Sequence, residues 1–323
     1  YAGMATAGAR RGAAAGPAAV ARLPARVDAP GWLWRSWERA YGAATARAIA
    51  AAHRLEAPLD VTLKDPSETA RWAEALDAAP IGVGSLRLNA RRDVASAPGF
   101  GAGAWWVQDA AAAMPAAALR AAMGGDIAGK RVVDLCAAPG GKTMQLASMG
   151  ADVIAVDVSG PRLKRVAENL QRVGLKATTV KADALDWSPE TPADAVLLDA
   201  PCAATGTIRR HPDVAWSKTE DDVAALAKIQ TRLLARAAEM TAPGGIVVYC
   251  VCSLQRDEGE ARIEAALKAE ARYARVPIDP ATLGDFADAV TRRGDVRTTP
   301  ASLASRGGCD GFYVAALRVG DVD

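Results

Sequence analysis

Cysteine is scarce in this sequence, and long apolar runs are missing from it. Its 323 residues include five cysteines, an odd number without the spacing of a disulfide scaffold. No apolar run reaches the length of about 18 residues that a membrane-spanning helix needs. The N-terminal stretch also lacks the apolar core and cleavage site of a secretory signal. These absences predict a protein of the reducing cytoplasm that has no membrane partner.

A strong net charge is missing as well. The 39 Lys and Arg residues nearly balance the 37 Asp and Glu residues, which leaves a formal net charge of +2. Any nucleic acid would therefore have to bind a local basic patch, because no global field attracts it. With 50% apolar and 24% charged residues, the composition is typical of a soluble globular chain of one or two domains.

Composition and pattern divide the chain into three parts. Residues 1–30 are rich in Ala, Gly, Pro and Arg, so we expect a flexible linker or arm. Residues 31–104 begin with a tryptophan-rich helix, whose rings we assign to the core, and continue as strand, helix and strand. These three elements are predicted at 61–64, 66–78 and 83–88. Residues 105–323 form the main domain. Because the chain starts at Tyr1, we expect an upstream part of the natural protein to be absent.

From residue 131 onwards, short apolar runs alternate with amphipathic helical segments. The predicted strands are 131–136, 152–158, 177–183, 194–200 and 245–251. The helix before the last strand has Thr219 as its predicted N-cap. This alternation predicts an α/β fold with a Rossmann-like, doubly wound, mostly parallel sheet, preceded by a small α/β subdomain. Ligands of such sheets bind at the carboxyl ends of the strands.

A glycine-rich turn, DLCAAPGGKT (134–143), joins the first of these strands to a helix. Gly140 and Gly141 allow the backbone to approach a ligand closely, and the helix N-terminus offers free N–H groups. The turn lacks both G-x-G-x-x-G and the P-loop spacing. It is therefore a poor site for NAD or ATP.

Three aspartates end successive strands. Asp157 lies where a carboxylate can accept hydrogen bonds from ribose hydroxyls. Asp183 is placed to bind an adenine amino group, and Asp199 faces the following loop. Together they indicate a nucleoside site, and so many carboxylates suit a cationic cofactor better than a pyrophosphate.

Two cysteines follow the last two strands. Cys202 ends DAPC (199–202), and Cys252 lies in YCVCS (249–253). C-x-C is not the C-x-x-C of a zinc site, and no second pair or nearby histidine completes four ligands. We therefore expect no metal. For Cys250 and Cys252, which are two residues apart, a redox pair, two buried small residues, and a nucleophile with a bystander remain open on the spacing alone.

Six stretches of this sequence resemble the RsmB/Fmu/Sun-type family of S-adenosylmethionine-dependent RNA cytosine-5 methyltransferases. They are VQDA (107–110), DLCAAPGGKT, VDVSGPRL (156–163), DAPCAATGTIRRHPDVAW (199–216), YCVCSL and GCDGFYVAAL (308–317). The resemblance covers roughly residues 30–320. It implies a class I methyltransferase fold, S-adenosyl-L-methionine as cofactor and 16S rRNA as the substrate. The alternatives are tRNA or another rRNA position, and then a non-catalytic RNA-binding module.

The resemblance also implies catalytic roles. Cys252 would be the nucleophile that adds to C6 of cytosine, so that C5 can attack the methyl group. Cys202 would assist release of the methylated base. Asp199 would bind the N3 edge of the ring. Lys142 would lie nearby, where its charge lowers a thiol pKa.

For the cofactor, the resemblance assigns the backbone of the glycine-rich turn. Its residues are Cys136, Ala137, Ala138, Pro139, Gly140, Gly141 and Lys142. Asp157 would bind ribose, Asp183 adenine, and Asp199 would lie close to the methionine end. Arg162 would assist.

The sequence departs from the family motif Y-S-T-C-S at two positions. Cys250 replaces serine, and strand alternation places it on the same face as Cys252. We interpret Cys250 as a packing residue, and the alternative is a redox-sensitive or helper residue near the site. Val251 replaces threonine, which removes a hydroxyl beside the nucleophile and puts the rate in doubt.

Arg209, Arg210, His211 and Lys218 follow the DAPC loop and form the predicted phosphate-binding patch. Trp216, which lies between His211 and Lys218, is interpreted as a packing residue rather than a platform for base stacking. The target base must leave its stack to reach a thiol, which favours an RNA loop or an opened helix end. The small subdomain and the arm are predicted to hold RNA further out, and we expect a monomer.

Overall fold

The computed structural model describes residues 29–90, 92–269 and 272–320. Most of the arm predicted at 1–30 therefore lies outside the described residues. Within the described ranges, no helix has both the length and the apolar character needed to cross a bilayer.

The first described part of the chain contains a long helix and a small antiparallel sheet. Its elements are α1 (Gly31–Ala52), β1 (Asp60–Leu63), α2 (Thr69–Ala75), β2 (Ala78–Ile81), β3 (Ser85–Leu88) and β4 (Trp105–Val107). The strand order is β2-β3-β1-β4, and every pairing is antiparallel. The predicted strand, helix and strand are present, but β2 was not predicted. It pairs with β3 through a tight turn in which Gly82 and Gly84 have positive φ.

The two parts of the chain interlock. β4, which the sequence pattern placed at the start of the main domain, pairs with β1 of the small sheet. Helix α1, which belongs to the first part, packs against the larger part. Its Trp34 and Trp37 are buried in a cluster that includes Ile208 and Leu254 of the larger part. The prediction that these tryptophans form core is confirmed by their burial.

The larger part is built on an eight-stranded sheet. Its helices are α3 (Met114–Ala122), α4 (Gly141–Ser148), α5 (Gly160–Val173), α6 (Val214–Ser217), α7 (Glu220–Glu239) and α8 (Glu260–Ala269). Its strands are β5 (Arg131–Leu135), β6 (Asp152–Asp157), β7 (Thr178–Lys181), β8 (Ala193–Asp199), β9 (Thr241–Val251), β10 (Tyr273–Val276), β11 (Val296–Arg297) and β12 (Tyr313–Val319). Short 3-10 turns connect them at 110–113, 205–207, 280–289 and 304–306.

The strand order β10-β12-β9-β8-β5-β6-β7 puts the first strand of the fold, β5, in the middle. Pairings from β9 to β7 are parallel, and those of β10, β11 and β12 are antiparallel. The mostly parallel α/β prediction is confirmed. The order reverses between β5 and β8, so a crevice opens there at the carboxyl ends of the strands.

Side-chain alternation explains why helices cover both faces. Val132 packs on the face shared with α3 and α4, whereas its neighbour Val133 packs on the face shared with α7 and α8. Helix α7 begins with a capping box between Thr219 and Asp222, which confirms the predicted N-cap. Helix α5 ends at Gly174, whose left-handed φ of 63° terminates it.

Candidate active site

Five loops converge at the carboxyl ends of the parallel strands. They follow β5, β6, β7, β8 and β9. The predicted cofactor and catalytic residues lie on these loops, so the topology brings together side chains that are more than 100 residues apart in sequence.

The glycine-rich turn after β5 has a constrained backbone. Cys136 has φ of 61° and Gly140 has φ of 102°, both in the left-handed region. Glycine adopts this region without cost, but cysteine does so only under strain, which is common at ligand sites. The Ala138 N–H donates to Asp157 Oδ2 at 3.1 Å, so the turn is tied to the end of β6.

Arg162 closes the same corner. Its guanidinium donates to the Ala138 carbonyl at 2.6 Å and lies 3.6 Å from Asp157 Oδ2. The other Asp157 oxygen accepts from Ser159 N at 2.9 Å. The Asp157 carboxylate is 2% exposed and held from two sides, which fixes its direction toward the crevice.

A cavity of about 320 Å³ opens beside this corner. Cys136, Asp157, Arg162 and Asp183 line it, as the sequence predicted for cofactor residues, together with apolar side chains. Two of these, Val158 and Ile229, are 64% and 38% exposed. Carboxylates beside exposed apolar surface fit a nucleoside, because hydroxyl and amino groups need acceptors while the base needs a flat apolar contact.

The two cysteines predicted to react lie against each other. Cys202 Sγ and Cys252 Sγ are 3.6 Å apart, although 50 residues separate them in sequence. The hydrogen bond with Cys252, followed by burial, raises the pKa of Cys202 well above its ordinary value. Cys202 therefore keeps its proton, and either sulfur of this contact can act as the hydrogen-bond donor.

The Asp199 carboxylate, which lines the same cavity as Cys252, accepts hydrogen bonds from two donors. Lys142 Nζ donates to Asp199 Oδ2 at 2.7 Å, and the Cys250 thiol donates to Oδ1 at 3.5 Å. Burial opposes the Lys142 charge, but Asp199 outweighs it and raises the lysine pKa, so the ammonium is retained. The packing interpretation of Cys250 was incomplete: the thiol is fully buried, yet it also contacts the Asp199 carboxylate.

A second cavity, of about 570 Å³, has Asp199 in its lining. Lys142, Asp199 and Cys252 line it, together with the aromatic rings of Trp106 and Phe312. Trp106 and Phe312 were given no role in the sequence analysis. Both could have been found from the family-like stretches, because Trp106 directly precedes VQDA and Phe312 lies in GCDGFYVAAL.

Arg209 does not belong to a phosphate-binding patch, contrary to the sequence prediction. Its side chain is 1% exposed and lies 3.2 Å from Asp109 and 3.1 Å from Asp310. Arg210 contacts the same two carboxylates and is 25% exposed. Burial opposes ionisation of Asp109, but Arg210 and Arg209 outweigh it and lower its pKa. The cluster joins three chain segments, so Arg209 is used for structure.

The remaining predicted RNA contacts are more accessible. His211 is exposed and lines the second cavity, and Lys218 is partly exposed. Trp216 is 67% exposed, so its interpretation as a packing residue was wrong. It lies on α6, the short helix that follows the Arg209–Arg210 segment.

This chain is similar in sequence and in fold to known methyltransferases. The family described as 16S rRNA methyltransferase RsmB/F matches residues 126–318, which is more than half of the chain. The chain belongs to the RsmB/F family. The resemblance found in the six sequence stretches is thereby confirmed, and the matched region contains Cys202 and Cys252.

Curated proteins of the RsmB/F type are similar over much of the chain. Ribosomal RNA small subunit methyltransferase B of Salmonella arizonae is 38% identical over 257 residues, and that of Salmonella typhi is 37% identical. These alignments cover 76% of this chain but 58% of each relative. The chain therefore spans somewhat over half the length of the curated relatives it matches.

A solved structure shares the architecture almost end to end. The methyltransferase homolog protein from Pyrococcus horikoshii is 25% identical and has a TM-score of 0.74. The structural alignment covers 91% of this chain and 96% of that protein. This similarity supports the class I methyltransferase fold.

Proposed function

We propose that this chain transfers a methyl group from S-adenosyl-L-methionine to C5 of a cytosine in RNA, through a covalent bond between Cys252 and C6. The observation that carries the proposal is the contact between two thiols at the edge of a cavity that also contains Asp199 and Lys142. The names of the curated relatives favour small-subunit rRNA as the substrate.

Cys252 is the nucleophile in this proposal because it lines the second cavity together with Asp199 and Lys142. Cys202, whose raised pKa keeps it protonated, lies against the Cys252 sulfur at 3.6 Å. Attack of that sulfur on C6 makes C5 electron-rich, which a neutral cytosine is not. After methylation, the C5 proton passes to water, the C5–C6 double bond re-forms, and the sulfur–C6 electron pair returns to Cys252, which regenerates the enzyme. Cys202 is beside that bond and assists the release.

Asp199 and Lys142 orient the base. The ammonium holds one carboxylate oxygen, and the Cys250 thiol contacts the other, so the side chain has little freedom to rotate. Asp199 then accepts a hydrogen bond from the protonated N3 edge as charge develops on the ring. Trp106 and Phe312 supply apolar surface for a base that has left its stack.

The cofactor residues proposed here are those around the first cavity. Asp157 accepts from the ribose hydroxyls, Asp183 from the adenine amino group, and Arg162 holds the glycine-rich turn in place. S-adenosylmethionine, when bound, supplies an electrophilic methyl group on a sulfonium. Asp199 lines the second cavity, and its negative charge suits the cationic methionine end.

For the RNA backbone, we propose His211 and Lys218, with Arg210 at the edge of the second cavity. Arg209 is not included, because its guanidinium is buried against two carboxylates. The small sheet borders the second cavity through Val107 of β4, which is 47% exposed, and is placed to contact RNA beside the target base.

The test is a denaturing gel of Cys202→Ala incubated with rRNA and S-adenosylmethionine. We expect a covalent protein–RNA band, because Cys252 still adds to C6 while release is slow. The band should be absent in Cys202→Ala/Cys252→Ala, and Cys309→Ala, which alters a buried cysteine away from the pair, is the matched control. Methyl transfer that survives in Cys252→Ala would show that the nucleophile is assigned incorrectly.

A further inference from the structure

Glu258 is a fully buried carboxylate that has no role in the mechanism above. It lies between β9 and α8, six residues after Cys252. A buried carboxylate is costly unless donors surround it. Here three groups do so: Ala203 N donates to Oε1 at 2.8 Å, Gln230 Nε2 donates to Oε1 at 3.1 Å, and Ser253 Oγ donates to Oε2.

Two of these donors are the immediate neighbours of the reactive cysteines. Ala203 follows Cys202 in the loop after β8, and Ser253 follows Cys252 at the end of β9. A single carboxylate therefore joins the two loops, one oxygen to each. The distance between the sulfur atoms depends on how the two loops are held relative to each other.

Gln230 reinforces this connection from the side. It lies on α7 and donates both to Glu258 Oε1 and to the Pro201 carbonyl, at 2.9 Å. The residues before and after Cys202 are thus both fixed by the Glu258–Gln230 pair. The Tyr249 hydroxyl also donates to the Glu258 carbonyl, which holds the backbone of this segment against β9.

Other contacts between the loops do not involve Glu258. Gly206 N donates to the Cys252 carbonyl at 3.0 Å, and Thr205 Oγ1 lies 3.2 Å from Ser253 Oγ. Loss of the Glu258 side chain should therefore loosen the pair of loops without separating them completely.

We propose that Glu258 is a positioning residue that holds the Cys202 loop against the Cys252 strand and so maintains the contact between their sulfur atoms. The inference rests on the proposed function, since the contact matters for release of the methylated base. Glu258 acts through the two cysteines and does not touch the substrate.

Glu258→Ala and Glu258→Gln separate geometry from charge. Glutamine retains an oxygen that accepts from Ala203 N and an amide group that can pair with Ser253. Glu258→Gln should therefore keep most of the contacts between the two loops that Glu258→Ala loses. For Glu258→Ala we expect kcat to fall about 10- to 100-fold, as a small displacement of reacting groups does. The Kd for S-adenosylmethionine should stay within about 3-fold, because the cofactor cavity is lined by other residues. Glu264→Gln, a surface carboxylate on α8, is the matched control.

The covalent RNA adduct gives a readout that simple loss of stability would not produce. If Glu258 positions Cys202, Glu258→Ala should accumulate the protein–RNA band, as Cys202→Ala does, because addition continues while release is slow. Gln230→Ala, which acts on the same connection from α7, should show the same change to a smaller degree. An alanine variant that loses turnover and adduct together, or that retains wild-type turnover, would overturn the proposal.

A second measurement needs no RNA. Diamide oxidises two adjacent thiols to a disulfide and is itself reduced to the hydrazine, and peptide mass spectrometry reports the Cys202–Cys252 bond. We expect closure at least about 10-fold slower in Glu258→Ala than in the wild type and in Glu258→Gln. If Cys202→Ala forms no RNA adduct but Glu258→Ala still slows closure, the proposed function fails and the positioning role stands. Equal closure rates in all proteins would refute the positioning role.

Discussion

Replacing Arg209 by methionine should destabilise the folded protein far more than it weakens RNA binding. The guanidinium is almost fully buried and contacts Asp109 at 3.2 Å, Asp310 at 3.1 Å and the Gly307 carbonyl at 3.0 Å. Methionine has a similar volume but no donors. The two carboxylates would then share Arg210 alone.

The magnitude follows from the cost of an incompletely paired buried charge. Removing one partner of a buried ion pair costs about 3–5 kcal/mol, and the remaining Arg210 places this case near the lower end. A loss of about 3 kcal/mol lowers Tm by roughly 6–12 °C in a protein of this size class. Urea unfolding followed by circular dichroism measures the free energy directly.

RNA binding supplies the contrasting readout. Each phosphate contact contributes about 0.7–0.9 to the slope of log K against log salt concentration. Arg209→Met should leave this slope unchanged, whereas Lys218→Met, at a partly exposed position, should lower it and change stability by less than about 0.5 kcal/mol. The reasoning is refuted if Arg209→Met unfolds with nearly wild-type free energy and lowers the salt slope, since Arg209 would then face phosphate.

Two further predictions concern the buried groups beneath the site. Cys250→Ala removes the donor to Asp199 Oδ1 and should lower kcat/KM about 3- to 10-fold, while Cys250→Ser should retain activity, as methyl-transfer kinetics would show. Burial raises the pKa of Asp134 to about 7, above its unfolded value of 3.8, so the folded state holds an extra proton between these values and loses stability as pH rises through them. Asp134→Asn should remove this loss: its stability relative to the wild type should rise from about pH 4 to about pH 7 and then stay constant, which chemical denaturation across pH would test. A relative stability that does not change with pH would contradict the raised pKa.

The sequence predicted the order of the main elements because each depends on a local pattern. The strand that contains Val132 and Val133 is a short apolar run, and α5 has an apolar stripe that ends at a glycine. Thr219 caps α7 through a hydrogen bond with a residue only three positions away. The small antiparallel sheet was predicted less completely, because β2 and β4 are short and their pairing depends on partners distant in sequence.

The same distinction holds within the site. Cys202, Cys252 and the glycine-rich turn were identified from their motifs, whereas the use of Arg209 depended on two aspartates about 100 residues away on either side. A basic residue beside a catalytic loop has the same local sequence whether it faces solvent or a buried carboxylate. Glu258 was overlooked for this reason, although it lies in the same stretch as Cys252.

The sequence by itself determined the chemistry available to this protein: two thiols, a flexible turn and three carboxylates at the ends of apolar strands. These depend on residue identity and short-range periodicity, which a linear chain displays. Only the tertiary structure decided which charges neutralise one another, that the two sulfur atoms lie 3.6 Å apart, and that one buried carboxylate joins their loops. Burial and distance between remote segments arise when the sheet closes its crevice, so no local pattern encodes them.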